Sequence, residues 1–273
     1  MKIHNIFYKT SAIILIFHLS FRLASQHPDA LLWHKYEIVF TSTNDYDNPV
    51  QEVRNMEVVF TSPTGKVKAI NGFWDGERLW KARFMPDETG TWSFETKCSD
   101  IQNEGLNGKK GLFICIRGDE TKEIYIHGPV IKPPGTYYLK HSDGTPFFWL
   151  ACTAWNGALK STDQEWDQYL THRTNNNYTA IQLVTTQWRG CDRSSENMVA
   201  FEGCGRISIN PDFFRLIDKK IDKVNEFGLV AVPVILWALQ TGSGRELSPG
   251  YYLPDDQAIL LAKYIVARYG ANQ

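Results

Sequence analysis

Between residues 31 and 116 apolar and polar positions alternate in short runs: 36–43 (YEIVFTST), 57–63 (EVVFTSP), 80–86 (WKARFMP), 91–98 (TWSFETKC) and 111–118 (GLFICIRG). Period-two alternation rich in β-branched and aromatic residues predicts half-buried strands. NDYDNP, PTG, WDGE, DETG and NEGLNGKKG separate the runs and supply turn residues. Short strands with no helical segment among them predict an antiparallel, immunoglobulin-like β-sandwich over 26–118. Residues 119–134 (DETKEIYIHGPVIKPP) have the polar and Pro content of a linker.

Beyond residue 134 the period changes. The continuous apolar runs 146–155 (PFFWLACTAW), 178–188 (YTAIQLVTTQW) and 229–237 (LVAVPVILW) predict strands buried on both faces. Helical spacing follows each. TDQEWDQYL opens with a capping box, Thr162 and Glu165, and 210–228 repeats Phe213, Leu216, Ile217, Ile221 and Val224 before stopping at Gly228. A third helix covers 255–270. Strand and helix in alternation predict parallel βα units, with the long loops at the C-terminal strand ends where such folds place their sites. No Gly-rich phosphate turn follows the first of these strands, which speaks against a dinucleotide fold. A complete (β/α)8 barrel needs about 250 residues. Residues 135–273 show three units, so the expectation is a multidomain β plus α/β chain that ends in an incomplete TIM barrel.

The formal net charge of −1 and the lack of a Lys/Arg run favour neither nucleic acid nor an anionic membrane as partner. Lys2 and Lys9 precede an apolar run at 11–21, with Ala24 and Ser25 following. This is the layout of a secretory leader over 1–25, too short to span a bilayer, and it implies a secreted or periplasmic protein with no membrane contact after cleavage. Two disulfides are compatible with export, Cys98 with Cys115 and Cys191 with Cys204; Cys152 reads as core.

The segment HSDGTPFFWLACTAWNGALKSTDQEWDQYLTHRTNNNYTAIQL resembles the opening strand, T-A-W turn and first helix of the apiosidase-like glycoside hydrolase family, and the segments 211–237 and 261–272 fit it in order. Residues 48–113, through FTSPTGK, GFWDGE, RFMPDETGTWSFET and GLNGKKGLF, resemble the β-sandwich domain of unknown function found before that barrel. The resemblance implies cleavage of a glycosidic bond in plant-type polysaccharide, without a cofactor, by carboxylates on later barrel strands. The catalytic residues are therefore expected beyond Gln273.

Trp155, Asn156, Gln187, Trp188, Trp237 and Gln240 follow the three parallel strands and are the candidate sugar-binding residues. Indole faces stack on sugar rings, and amides fix hydroxyls. Asp192, Glu196, Glu202 and Glu246 are carboxylates of the same loops, expected to be solvated, and Arg189 and His172 read as surface groups. No metal-ligand spacing occurs: Asp218 and Asp222, beside Lys219, Lys220 and Lys223, read as a solvated helix face. Trp74 and Trp80 could stack a sugar or pack the sandwich. A noncatalytic carbohydrate-binding protein and an inactive remnant remain alternative readings.

Overall fold

The computed structural model describes residues 29–238, 241–242 and 244–273. The leader expected over 1–25 lies outside them, as does Gln240. The first half is almost entirely strand: β1 (Ala30–Leu31), β2 (Tyr36–Thr41), one helical turn α1 (Pro49–Glu52), β3 (Met56–Thr61), β4 (Val67–Asn71), β5 (Phe73–Trp74), β6 (Leu79–Phe84), β7 (Gly90–Cys98) and β8 (Lys110–Ile116). The residues expected as a linker carry α2 (Glu123–Ile126) and β9 (Val130–Ile131), and β10 (Leu139–His141) and β11 (Pro146–Phe147) complete a small sheet with β9. The remainder is β12 (Ala151–Thr153), α3 (Gly157–Lys160), α4 (Asp163–Asn175), β13 (Ala180–Val184), β14 (Phe201–Glu202), β15 (Ser208–Ile209), α5 (Pro211–Glu226), β16 (Val230–Val234), α6 (Pro249–Tyr252) and α7 (Asp255–Tyr269).

Strands β1-β8-β7-β3-β4 form one sheet and β2-β6-β5 a second. All pairings are antiparallel except β1 with β8. Alternation sends one face of each inward: Ile38 and Phe40 from β2, Val58 and Phe60 from β3, Phe84 from β6, and Trp92, Phe94 and Phe113 from β7 and β8 share a single core. Phe60 stacks on Phe84 across the sheets at 4.1 Å between centroids. The expected disulfide between Cys98 and Cys115 is absent because of strand register. Cys115 pairs opposite Gly90, at the far end of β7 from Cys98, so the two lie about 26 Å apart along the strand, well beyond disulfide reach. Cys191 and Cys204 are also free thiols: the Cys191 Sγ contacts the Arg193 carbonyl, and the exposed Cys204 faces the Tyr252 carbonyl.

Strands β12, β13 and β16 are parallel, with β13 in the middle, and form a curled, half-barrel-like sheet. Capping starts its helices where the sequence predicts. Thr162 Oγ1 accepts from the Glu165 N–H and the Glu165 carboxylate accepts from the Thr162 N–H at 2.8 Å, while Asn210 caps α5 ahead of Pro211. Trp166 and Leu170 of α4, with Phe213, Phe214, Ile217, Ile221 and Val224 of α5, bury their apolar stripes in one core with Ile181, Leu183 and Val184 of β13. Only β13 is buried nearly throughout; β16 is half-exposed along its whole length. The run expected as one doubly buried strand is divided: Pro146–Phe147 belongs to the small sheet, Phe148 and Trp149 are 75% and 46% exposed, and only Ala151–Thr153 joins the parallel sheet. An apolar run alone does not say which sheet each residue enters.

The two-sheet unit sits on the helices of the parallel unit through a buried seam of charge. Arg268 of α7 donates from Nε and Nη2 to the two oxygens of Asp218 on α5 at 2.8 and 2.7 Å. Arg83 of β6 donates to the same carboxylate and to Glu37 of β2. Asp75, after β5, pairs with Arg268 at 2.8 Å and with Lys81 at 2.9 Å. Both guanidinium groups flank the Phe73 ring, at 5.0 and 4.8 Å from its centroid. The face of α5 expected to be solvated is therefore an interface. Asp218 lies inside the seam, Asp222 takes hydrogen bonds from Lys35 and Asn272, and Lys220 is buried against Asp163. Helical periodicity marks the residues that share a face but not what lies opposite. Trp80 packs the core of the two-sheet unit, whereas Trp74 is half-buried.

Candidate functional site

The register of the parallel sheet pairs Ala151 with Ala180 and Ala180 with Val230, so the residues after β12, β13 and β16 emerge on one edge. Trp155, Trp188 and Trp237 meet there. Ring centroids are 4.5 Å apart for Trp188 and Trp237, 5.2 Å for Trp155 and Trp237, and 6.4 Å for Trp155 and Trp188. The planes are tilted or perpendicular, so the rings form a cup and not a stack. Trp188 is its floor at 6% exposure, whereas Trp155 and Trp237 are half-buried and keep open ring surface.

Local hydrogen bonds hold the floor in place. Trp188 Nε1 donates to Asn156 Oδ1 at 2.8 Å, and Asn156 Nδ2 donates to the Gly190 carbonyl at 3.0 Å. Trp188 and Cys191 exchange a reciprocal pair of backbone bonds at 2.9 Å, which closes the loop tightly over the indole. Glycine is required at 190, because a Cβ would lie 2.6 Å from Trp188 Cζ2. Arg189 stands over the same ring, its guanidinium carbon 5.6 Å from the centroid.

Gln187 donates from Nε2 to the Phe201 carbonyl and accepts from the Ala200 N–H, so its amide braces the β14–β15 hairpin beneath the cup. Asn156 acts in the same way on the neighbouring loop. Of the residues expected to bind sugar, the structure brings Trp155, Trp188 and Trp237 together and gives Asn156 and Gln187 backbone partners. One polar group at the cup has no partner among the described residues: Trp237 Nε1 is buried and makes no hydrogen bond. A buried donor left unbonded costs roughly 1–3 kcal/mol, and Tyr169 and Ser248 carry buried atoms of the same kind elsewhere, so this one is not peculiar to the cup. Sequence alone could mark Trp237 as a strand-end aromatic, but its unbonded N–H depends on the loops around it.

The loop carboxylates Asp192, Glu196, Glu202 and Glu246 are all exposed. Burial raises the Cys191 thiol and pushes the Tyr252 hydroxyl up to about 12, so neither is poised to exchange a proton near neutrality. Among the described residues no group of three or more His, Cys, Asp or Glu could hold a metal ion, and no helix is long and apolar enough to cross a membrane. The arrangement offers partly open ring faces at Trp155 and Trp237, the chemistry of stacking on an amphipathic ring.

Known proteins extend this picture. Among solved structures, a candidate glycoside hydrolase from Bacteroides vulgatus ATCC 8482 overlays 90% of this chain with TM-score 0.70 and 25% identity, and the chain spans 48% of that protein's length. A glycoside hydrolase at 24% identity covers 55% of the chain and 33% of its own length, with TM-score 0.44. A family 5 glycoside hydrolase from the same Bacteroides strain gives 19%, 55%, 32% and 0.41. No curated protein matches the chain. Residues 30–99 match a domain of unknown function, DUF5060. Residues 134–273, just over half of the chain and the whole of the parallel unit with its tryptophan cup, match the model described as apiosidase-like, catalytic domain, and the chain belongs to that family.

Proposed function

We propose that this chain is a carbohydrate-active protein of the glycoside hydrolase class whose residues 134–273 bind a sugar ring of plant-type polysaccharide in the tryptophan cup. The convergence of Trp155, Trp188 and Trp237 at the C-terminal edge of the parallel strands carries the reading. This edge is where (β/α)8 enzymes place their substrates, and the half-barrel curl with open strands β12 and β16 on either side fits the first strands of such a barrel. The two facing sheets fit an immunoglobulin-like sandwich set in front of it. The leader-like run at 11–21 supports secretion or a periplasmic location.

Hydrolysis requires two carboxylates held ~5–9.5 Å apart across the bond. Asp192, Glu196, Glu202 and Glu246 are exposed loop groups with no rigid support of that kind. Residues 26–273 by themselves are therefore assigned binding without turnover, and the noncatalytic reading is the second one that this observation favours. Affinity electrophoresis against a panel of plant polysaccharides, run beside a reducing-sugar assay, tests both halves. Retardation that disappears in Trp188→Ala and weakens in Trp155→Ala, with no sugar released, is expected. Sugar release by residues 26–273 would overturn the assignment of binding alone, and migration unchanged on every polysaccharide would overturn the cup.

A further inference from the structure

A second concave site lies away from the cup. A cleft of about 400 Å³ opens between the two units, bounded by α1, β5 and α7 and closed on one side by Arg206 of the β14–β15 hairpin. Its volume falls within the ~300–1,000 Å³ of small-molecule sites. The walls are fixed. Gln257 Oε1 accepts from Gln51 Nε2 at 2.7 Å and from the Ile207 N–H at 2.9 Å, which ties α1, α7 and the β14–β15 hairpin together. Trp74 is half-buried on the wall, with Nε1 donating to the Glu77 carbonyl and its own carbonyl accepting from Tyr264 Oη.

The rim carries unmatched charge. Arg54, Arg206 and Lys263 all line the cleft, and none forms an ion pair among the described residues. The one carboxylate that faces them, Asp256, accepts from Gln257 Nε2. Three cations against one carboxylate select an anion. An indole wall and the Asn71 amide add surface for a sugar ring that a bare inorganic anion would leave unused.

We propose that this cleft binds a carboxylate-bearing saccharide, a uronate unit of an acidic polysaccharide, with the carboxylate on the cationic rim and the ring on Trp74. The site is separate from the cup, and only the saccharide half of the ligand rests on the carbohydrate reading above.

Isothermal titration of the whole chain with digalacturonate, with its neutral counterpart galactobiose, and with sodium sulfate tests the proposal. Digalacturonate is expected to bind at least about tenfold tighter than galactobiose, the margin expected for charge-assisted hydrogen bonds, and to weaken as salt screens the rim. The double variant Arg54→Ala with Lys263→Ala, at exposed positions that leave the fold intact, loses that tenfold preference, whereas Trp155→Ala keeps it. Equal affinity for digalacturonate and galactobiose, or no heat with either, overturns the proposal. Sulfate binding as tightly as digalacturonate overturns the saccharide half. Loss of binding in Trp155→Ala but not in the double variant would move the uronate to the cup and leave the proposed function standing.

Discussion

The seam between the units and the tryptophan cup invert what residue type suggests. The seam is built from charged groups, Glu37, Asp75, Lys81, Arg83, Asp218 and Arg268, yet Arg268 is 0% and Asp75 3% exposed. The cup is built from the most core-like of side chains, yet two of its three indoles stay half-open and one N–H goes unbonded. Every charge in the seam has a partner, which makes it a joint. The cup keeps open ring surface at Trp155 and Trp237, which is what the proposed sugar contact would use. Burial of paired charge in the seam and exposure of ring surface in the cup, and not polarity, distinguish the two regions.

The largest effect expected from breaking this contrast is in the seam. Arg268→Ala leaves Asp218 and Asp75 short of their shared cation, and removal of one member of a buried charge network costs about 3–5 kcal/mol. Urea denaturation measures it; a loss below about 1 kcal/mol would mean that water re-solvates the seam freely. Trp188→Ala should approach the same cost, about 3 kcal/mol, because Trp188 is buried and its removal opens a cavity under the loop. The two variants separate in binding: Arg268→Ala should leave polysaccharide retardation intact at temperatures where it is folded, and Trp188→Ala should abolish it.

Acid acts on the seam next. Burial alone would raise Asp218, Asp75 and Glu37, but the Arg83, Arg268 and Lys81 cations beside them hold all three below the ordinary carboxylate range. Groups depressed in the folded state contribute stability that is fully present above their unfolded values near 4 and is lost as pH falls through the folded ones. Stability should therefore decline below about pH 4, and Asp218→Asn should flatten the decline while lowering the plateau at pH 7. A decline equally steep in Asp218→Asn would place the acid sensitivity elsewhere.

Much of this architecture is legible in the chain. Alternation marks β2, β3, β6, β7 and β8, and the caps at Thr162 and Asn210 start α4 and α5 where they are observed. Strand β4 escapes that pattern because Val67–Asn71 lies on an edge where the half-buried face carries Lys68 with Ile70 and the exposed face carries Val67 and Ala69, so residue type does not follow its burial. The convergence of three strand-end tryptophans follows from parallel order, which the sequence does convey. The seam does not, because a helix-face argument counts Asp218, Lys219 and Lys220 as neighbours in solvent, and the opposing Arg83 lies 135 residues away in sequence from its Asp218 partner. The expected Cys98–Cys115 pair is missing for the same reason: adjacency of β7 and β8 is readable in the sequence, but their register is not.

Smaller effects sharpen the cup. Trp155→Ala removes a half-buried ring from the wall and not the floor, so its stability cost should fall below that of Trp188→Ala. Sugar affinity should still drop by about two- to tenfold, the equivalent of ~0.5–1.5 kcal/mol of aromatic contact. Titration with the polysaccharide fragment that best retards the chain checks this. A stability loss without any loss of affinity would make Trp155 packing alone.

The smallest effect is expected at the loop carboxylates, and it bears directly on the contrast. Asp192, Glu196, Glu202 and Glu246 are the charged groups near the cup that residue type would favour as its active members, yet all four are solvated. Exposed substitutions away from packed or bonded features stay within about 0.5 kcal/mol. The combined variant Asp192→Asn, Glu196→Gln, Glu202→Gln, Glu246→Gln should therefore melt and bind polysaccharide almost as the unaltered chain does. If affinity instead falls tenfold with melting unchanged, one of these carboxylates closes onto the bound sugar. The cup would then gain a charged member, and readiness for ligand would rest on loop movement as well as on the unfilled surface of Trp155 and Trp237.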